Sequence, residues 1–512
     1  MFSESDIRQM QSLGLDQQVV MQQLEKLKRG TRYVELSAPA TAGKGIQVFT
    51  PDEIRQQIEH LDHKLKDKKL LKFVPASGAA TRMFKDLFLF LEKYNIASKT
   101  KDPALKEVYT LLDHLPKMAF YPDLKTAMAK HHIDTVDCLA KEKYDILLEY
   151  FLYAEGLNYA ALPKALLKFH AYDKEERTAF EEHLVEGDAY ARNADGKVYL
   201  HVTVSPEHHS VFEEHFQNIK VKYEKRFGCN YELSFSYQSP STNTIALNDN
   251  NEPFRNDDGS LEFRPGGHGS LLQNLADIDA DIIFIKNIDN VTLDQRRSDT
   301  ILYKKLLTSL LITYQNRCFE FLKILESSAV SEKDLHAIEL YAKEHLNIEL
   351  PVLYASYSTL EKQSYLYHRL NRPIRVCGMV KRENEPGGGP FWVKNEQGVT
   401  TLQIVETSEI DTNKLQQEQI LEKSEFFNPV DLVCAIKNYQ GETFELTQFA
   451  DDQRYFIAHK SKNGKSLKAL EHPGLWNGAM ADWISIFVAV PLSTFTPVKT
   501  VNDLLRKEHI II

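Results

Sequence analysis

Asp289 closes the apolar run Ile282-Ile-Phe-Ile-Lys-Asn-Ile-Asp-Asn290, one short helix after the loop Arg264-Pro-Gly-Gly-His-Gly-Ser270. An acid at the carboxyl end of a parallel strand sits where open α/β sheets bind ligands. A single carboxylate that holds a divalent cation against phosphate oxygens is magnesium chemistry. Gly266, Gly267 and Gly269 allow the backbone a close approach to such a ligand, with His268 among them. The nearby Asp277-Ile-Asp279 copies a DxD metal motif. It precedes the strand, however, and reads as a helix-to-strand turn.

Two further segments carry cations. Val74-Pro-Ala-Ser-Gly-Ala-Ala-Thr-Arg82 sets the small residues Ala76, Ser77, Gly78, Ala79, Ala80 and Thr81 between a short strand and a helix. Backbone N–H groups in such a loop can face an anion, and the helix N-terminus adds a favourable dipole. Arg82 offers a permanent fork of donors for phosphate. The segment is neither a Walker loop nor GxGxxG, and an ordinary strand-to-helix turn has the same composition. In Leu162-Pro-Lys-Ala-Leu-Leu-Lys-Phe169, a proline beside Lys164 in an apolar run can pin the ammonium towards a cleft. A near-copy, Leu115-Pro-Lys-Met-Ala119, shows how readily this short pattern arises.

The elements that must position these residues follow from periodicity and punctuation. Residues 3–30 and 51–69 read as amphipathic helices, the second opened by Thr50-Pro51-Asp52-Glu53 as N-cap, first-turn proline and early acids. Strands are expected at 70–75, 198–204, 231–238 and 281–289, and a β-rich final third at 373–380, 391–394, 401–406, 430–437 and 485–491. Helical insertions are expected near 87–160 and 296–350. The predicted organisation is an N-terminal helical segment (1–69), one main domain (70–505) and a short tail (506–512). Alternating strands and helices predict an α/β fold with a mixed, mostly parallel sheet and helices on both faces.

Bulk composition narrows the function. The chain has 512 residues, 43% hydrophobic and 26% charged, which suits an ordinary globular protein. A net charge of −10 argues against a general phosphate-backbone binder, so nucleic acid is not the expected partner. Cys138, Cys229, Cys318, Cys377 and Cys434 are widely spaced without a CxxC pair, which predicts reduced thiols and neither disulfides nor zinc. No segment reads as a signal peptide or a membrane span, and a cytoplasmic location is expected.

The order of the motifs resembles that of the nucleotide-sugar pyrophosphorylases, above all the uridylyltransferases that make UDP-sugars. The whole chain also resembles a bacterial family of unknown function. In the pyrophosphorylases a Gly-x-Gly-Thr-Arg loop cradles the triphosphate, and Gly78-Ala-Ala-Thr81-Arg82 stands in its place, with Ala80 at the second glycine. Their Pro-Lys pair matches Pro163-Lys164. Their base-reading loop matches Gly266-Gly267-His268-Gly269, and their metal-binding Asp matches Asp289. The resemblance also implies that Gln238 hydrogen-bonds uracil and that Glu406 and Asn428 contact the sugar. Phe495-Thr-Pro-Val-Lys-Thr500 resembles the Pro-Val-Lys segment, which makes Lys499 a second active-site lysine.

What this implies is a Rossmann-like nucleotidyltransferase of GT-A type. It would use magnesium to join a nucleoside triphosphate, UTP first, to a sugar 1-phosphate and release pyrophosphate. Two other readings remain at this point: a glycosyltransferase using a nucleotide sugar, and a nucleotide-binding regulatory protein without turnover.

Overall fold

In a computed structural model, residues 2–511 are described apart from 79, 94–104, 328–329, 384–386 and 396–397. The chain forms two compact units, each assembled from separate stretches. The first comprises Met1–Leu70, Gln238–Ile285 and Tyr303–Val490; the second comprises Leu71–Tyr237, Lys286–Leu302 and Pro491–Ile512.

In the second unit, three strands lie side by side and parallel: Leu70–Pro75, Lys197–Thr203 and Asn230–Ser236. The helix Ala179–Ala191 opens on a capping box, in which Thr178 accepts from Glu181 N–H and Glu181 accepts from Thr178 N–H. The 19-residue helix His209–Phe227 carries the chain from the second strand to the third, and Gly228 ends it in the left-handed region at φ 64°. Helices Lys85–Lys93, Lys106–His114, Tyr121–Ala129, Thr135–Ala140 and Tyr144–Leu152 make up the expected insertion between sheet strands. Their apolar faces close on an aromatic core, where Phe151 stacks at a tilt on Phe120 (4.6 Å) and edge-on to Phe84 (5.3 Å).

In the first unit, Thr41–Ala42, Gly45–Gln47, Ile484–Ala489 and Ile374–Lys381 are successive parallel neighbours, and Asp431–Ala435 adds antiparallel to the last of them. A four-stranded antiparallel sheet (Phe263–Arg264, Thr244–Leu247, Lys465–Glu471, Phe456–Lys462) packs under the helices Glu4–Ser12 and Gln17–Arg29. A third sheet joins Glu35–Pro39, Gly388–Lys394 and Thr400–Glu406.

The mixed α/β class with mostly parallel main-sheet pairing is borne out, as is the N-cap at Thr50, and the stretch expected to be helical near 296–350 holds the two helices Ser298–Leu325 and Glu332–Leu346. The five cysteines are free and buried. Three expectations are corrected. The first 69 residues are not helical throughout: Glu35–Pro39 pairs with Gly388–Lys394, so its side chains find their apolar partner only through a distant strand. The strand expected at 281–289 stops at Lys286, because residues 287–290 close a turn through an Asn290 N–H to Asn287 C=O bond of 3.1 Å. The strand expected at 231–238 stops at Ser236, two residues before Gln238.

Candidate functional site

The second unit brings Lys164, Asp289 and Lys499 together, residues 125 and 210 positions from Asp289 along the chain. Pro163, in extended geometry at φ −66°, ψ 145°, sets up the 3₁₀ turn Lys164–Leu166. The segment after Thr494 runs antiparallel to the turn: Thr496 N–H donates to Asn290 Oδ1 (2.9 Å), and Val498 N–H donates to the Asp289 carbonyl (3.1 Å). That pairing delivers Lys499 to the carboxylate. Asp503 then fixes the lysine's backbone by accepting from Lys499 N–H at 2.8 Å.

Both ammonium groups converge on one carboxylate oxygen. Lys164 Nζ donates to Asp289 Oδ2 at 3.0 Å and to the Val498 carbonyl at 2.9 Å; Lys499 Nζ donates to the same Oδ2 at 3.1 Å. Asp289 and Lys164 side chains are 9% and 15% exposed, while Lys499 is 56% exposed and forms the wet edge of the cluster. Burial pushes the Asp289 carboxyl up, but Lys164 and Lys499 outweigh it and hold the group below its ordinary pKa. Asp289 is therefore an ion at neutral pH, and two cations against one anion leave the cluster net positive. Its second oxygen, Oδ1, is buried and has no hydrogen-bond partner among the described residues.

That orphaned oxygen is the observation that tests a metal role. Among the described residues, no three His, Cys, Asp or Glu side chains gather into a protein-only cage. Magnesium does not require one: it commonly takes one or two carboxylates and completes its shell with water and substrate phosphates. A single ionised carboxylate with one unengaged oxygen fits that demand.

The loop after the first strand of this unit starts with Ala76, whose N–H donates to the Thr203 carbonyl at 3.0 Å. Ser77 and Gly78 are exposed, Ala79 lies outside the described residues, and a 3₁₀ turn Ala80–Phe84 leads into the helix from Lys85. The Ala80 methyl group is fully buried in the core. It therefore points away from the solvent side of the loop, and this position does not need a glycine. Thr81 and Arg82 are exposed, and Arg82 makes no ion pair among the described residues.

In the first unit, the glycine loop is shaped by its own chain. A side chain at Gly266 would collide with the His472 ring and the Thr242 carbonyl, and one at Gly269 with the Pro473 carbonyl. Gly267 has φ 75° and faces Glu471. The packing of the 471–473 segment alone requires these glycines. Gly269→Ala is accordingly expected to destabilise the protein by about 1–3 kcal/mol through overpacking, seen as a lower urea midpoint with an unchanged slope. An unaltered midpoint would show that the loop can yield.

His268 is held between neighbours. Its ring stacks on Trp476 (4.5 Å, 17°), and its Nδ1 accepts from Leu475 N–H at 3.0 Å. Its Nε2 stands 3.8 Å from Glu406 Oε1, which also accepts from Asn477 Nδ2 at 2.7 Å. Glu406 ends the strand Thr400–Glu406 opposite Gly388, whose carbonyl accepts from Asn428 N–H at 2.8 Å. The Asn428 side chain is 2% exposed, and its Oδ1 accepts from Val430 N–H at 3.1 Å. It thereby supports a β-branched residue at φ 55°, a conformation that Val rarely adopts. Gln238 lies past its strand, and its buried Nε2 has no hydrogen-bond partner among the described residues. His268 and Glu406 are thus neighbours, Asn428 reaches them through backbone, and Asn477 and Trp476 belong to the cluster although no motif marks them.

Sequence reading also missed the charged interior of the second unit. Glu186 is fully buried between Lys72 (2.9 Å) and Lys286 (2.8 Å), and His183 donates from Nε2 to the Ile288 carbonyl at 3.2 Å, next to Asp289. The signal was the pair Glu182 and Glu186, four residues apart with His183 on a helix, which reads as a solvated face until its partners are known.

Fold and geometry define a mixed α/β protein with a buried carboxylate bracketed by two lysines. The chain belongs to the DUF4301 family, a domain of unknown function whose profile spans residues 3–510. No curated protein matches the sequence. Among solved structures, the UDP-glucose pyrophosphorylase of Leishmania major is 12% identical, with 99% of this chain and 79% of that one covered and a TM-score of 0.45. A UDP-glucose phosphorylase from Trypanosoma brucei is 13% identical over 99% and 80% of the two chains, with a TM-score of 0.46. The uridine diphosphate N-acetylglucosamine pyrophosphorylase of Trypanosoma brucei is 13% identical over 92% and 72%, with a TM-score of 0.45. No helix among the described residues is long and apolar enough to cross a membrane.

Proposed function

We propose that this protein transfers a nucleotidyl group from a nucleoside triphosphate, UTP first, to a sugar 1-phosphate. The observation that carries the reading is Asp289: two lysines share one of its oxygens, and the other oxygen is buried and unengaged. A phosphate-rich substrate is the ligand for which a net positive cluster around one ionised acid makes chemical sense.

In the reaction, an oxygen of the sugar 1-phosphate forms a bond to the α-phosphorus, the α–β bridging bond breaks, and pyrophosphate departs with that electron pair. The attacking oxygen is already ionised, so no nucleophilic side chain and no general base are needed. Positioning and charge neutralisation supply most of the rate in transfers of this kind. Lys164 and Lys499 neutralise phosphate charge, and Arg82 with the backbone of 76–78 and 80–81 holds the β- and γ-phosphates. Magnesium, when bound at Asp289, supplies further neutralisation of the phosphate oxygens.

The test is pyrophosphate release from purified protein with magnesium, each of the common nucleoside triphosphates, and a panel of sugar 1-phosphates. Release that depends on both substrates, with UTP the best donor, is the expected result. No release from any pair, together with no nucleotide-dependent thermal shift, would overturn the reading. A UTP-dependent shift without release would instead favour a binding protein without turnover.

A further inference from the structure

We infer a second ligand site in the second unit, a cavity that takes a small amphipathic carboxylate: an apolar chain ending in one acid group. The cavity measures about 610 Å³, within the range of small-molecule sites. Met118, Phe169 and Leu504 give it apolar walls, and Lys117, His114 and His509 give it a polar side.

The chemistry of the head group follows from charge. Lys117 is the one lysine or arginine among the lining residues, and no Asp or Glu is among them. It ends the 3₁₀ turn Leu115–Lys117, whereas in the near-copy Leu162-Pro-Lys164 the turn starts at the lysine. In one copy the ammonium is bound to Asp289. In the other, Met118 turns into the core while Lys117 is exposed, without an ion pair among the described residues. Lys117 thus presents a cation with no protein anion to satisfy it among the described residues.

The remaining polar walls are fixed by the fold. His114 Nδ1 donates to the Thr110 carbonyl at 2.9 Å. His509 is buried and stacks on His170 (5.2 Å, 19°) with their nitrogens 2.9 Å apart. Burial, with the adjoining His170, keeps its pKa well below the ordinary histidine value. One cation over an apolar hollow selects an acid with a hydrocarbon body, and a short sugar phosphate would leave those walls wet.

Decanoate, below its micelle concentration, is a suitable probe in titration calorimetry with the full-length protein. The expected result is saturable one-to-one binding, weakened by about tenfold or more in Lys117→Glu, with decanol binding more weakly than decanoate. Lys117 is exposed, so the variant should melt like the parent; Ala171→Phe, which narrows the cavity, provides a second block. Asp289→Asn should leave decanoate binding unchanged, which separates this site from nucleotide chemistry. No saturable binding, equal binding of decanol, or indifference to both variants would overturn the inference.

Discussion

Asp289→Asn is expected to lower the rate of pyrophosphate release by about 10²–10³-fold or more, the loss seen when one preorganised electrostatic contact to a transition state is removed. The substitution preserves size and removes the charge on which Lys164 and Lys499 converge at 3.0 and 3.1 Å. It also replaces the unengaged oxygen with a neutral amide, a far poorer metal ligand. The effect should fall on kcat more than on KM, because charge development at the α-phosphorus is felt in the transition state. Folding should survive, since Lys164 keeps its bond to the Val498 carbonyl at 2.9 Å and Lys499 is solvated, so neither ammonium is left buried without a partner. Lys499→Met gives the graded companion: its side chain is 56% exposed, and it should cost about tenfold while Lys164 remains. Release that persists at the parental rate in Asp289→Asn would remove Asp289 from the chemistry.

Particular residues show why part of this site was legible in the sequence. Asp289 follows five buried strand residues, and strand ends concentrate function in parallel sheets. The Pro-Lys and Pro-Val-Lys pairs flagged both lysines through resemblance, and the structure joins them to the same oxygen. The glycine loop was flagged for a different reason from the one that holds it. Its glycines make room for His472 and Pro473, a packing fact that exists only once two distant segments meet. Asn477 and Trp476 were invisible for the same reason, since an isolated Trp-Asn pair has no periodicity to read.

The fold shows the same division. The Lys462-Asn-Gly-Lys465 turn, with Asn463 at φ 50° and Gly464 at φ 75°, is a strong local hairpin signal between the strands Phe456–Lys462 and Lys465–Glu471. That hairpin was overlooked although the residues declare it. The helix Ala179–Ala191 is different: most of its residues are buried, polar ones included, so it lacks the amphipathic stripe that periodicity detects. Only the partners of Glu182, His183 and Glu186 explain how such a helix lies inside a core.

Glu186→Gln should be the most destabilising conservative substitution in the second unit, costing about 3–5 kcal/mol as the loss of one member of a buried ion cluster. Glu186 accepts from Lys72 Nζ at 2.9 Å, Lys286 Nζ at 2.8 Å and Tyr190 Oη at 2.9 Å, and all three charged side chains are at most 1% exposed. Burial pushes its carboxyl up, and Lys286 and Lys72 override that and hold it well below the ordinary value. Removing the charge takes away the carboxylate both ammonium groups share. Because the folded pKa is depressed, this stabilisation is complete above the unfolded glutamate pKa of about 4.3 and is lost as pH falls from there towards the folded value. The gap between parent and Glu186→Gln in urea unfolding should therefore be widest near pH 7 and shrink on acidification below that value. Adding Lys286→Met to the variant should recover part of the loss, since one buried cation no longer lacks its partner. A gap that stays constant with pH, or a double variant no more stable than the single, would mean that packing rather than charge governs this helix.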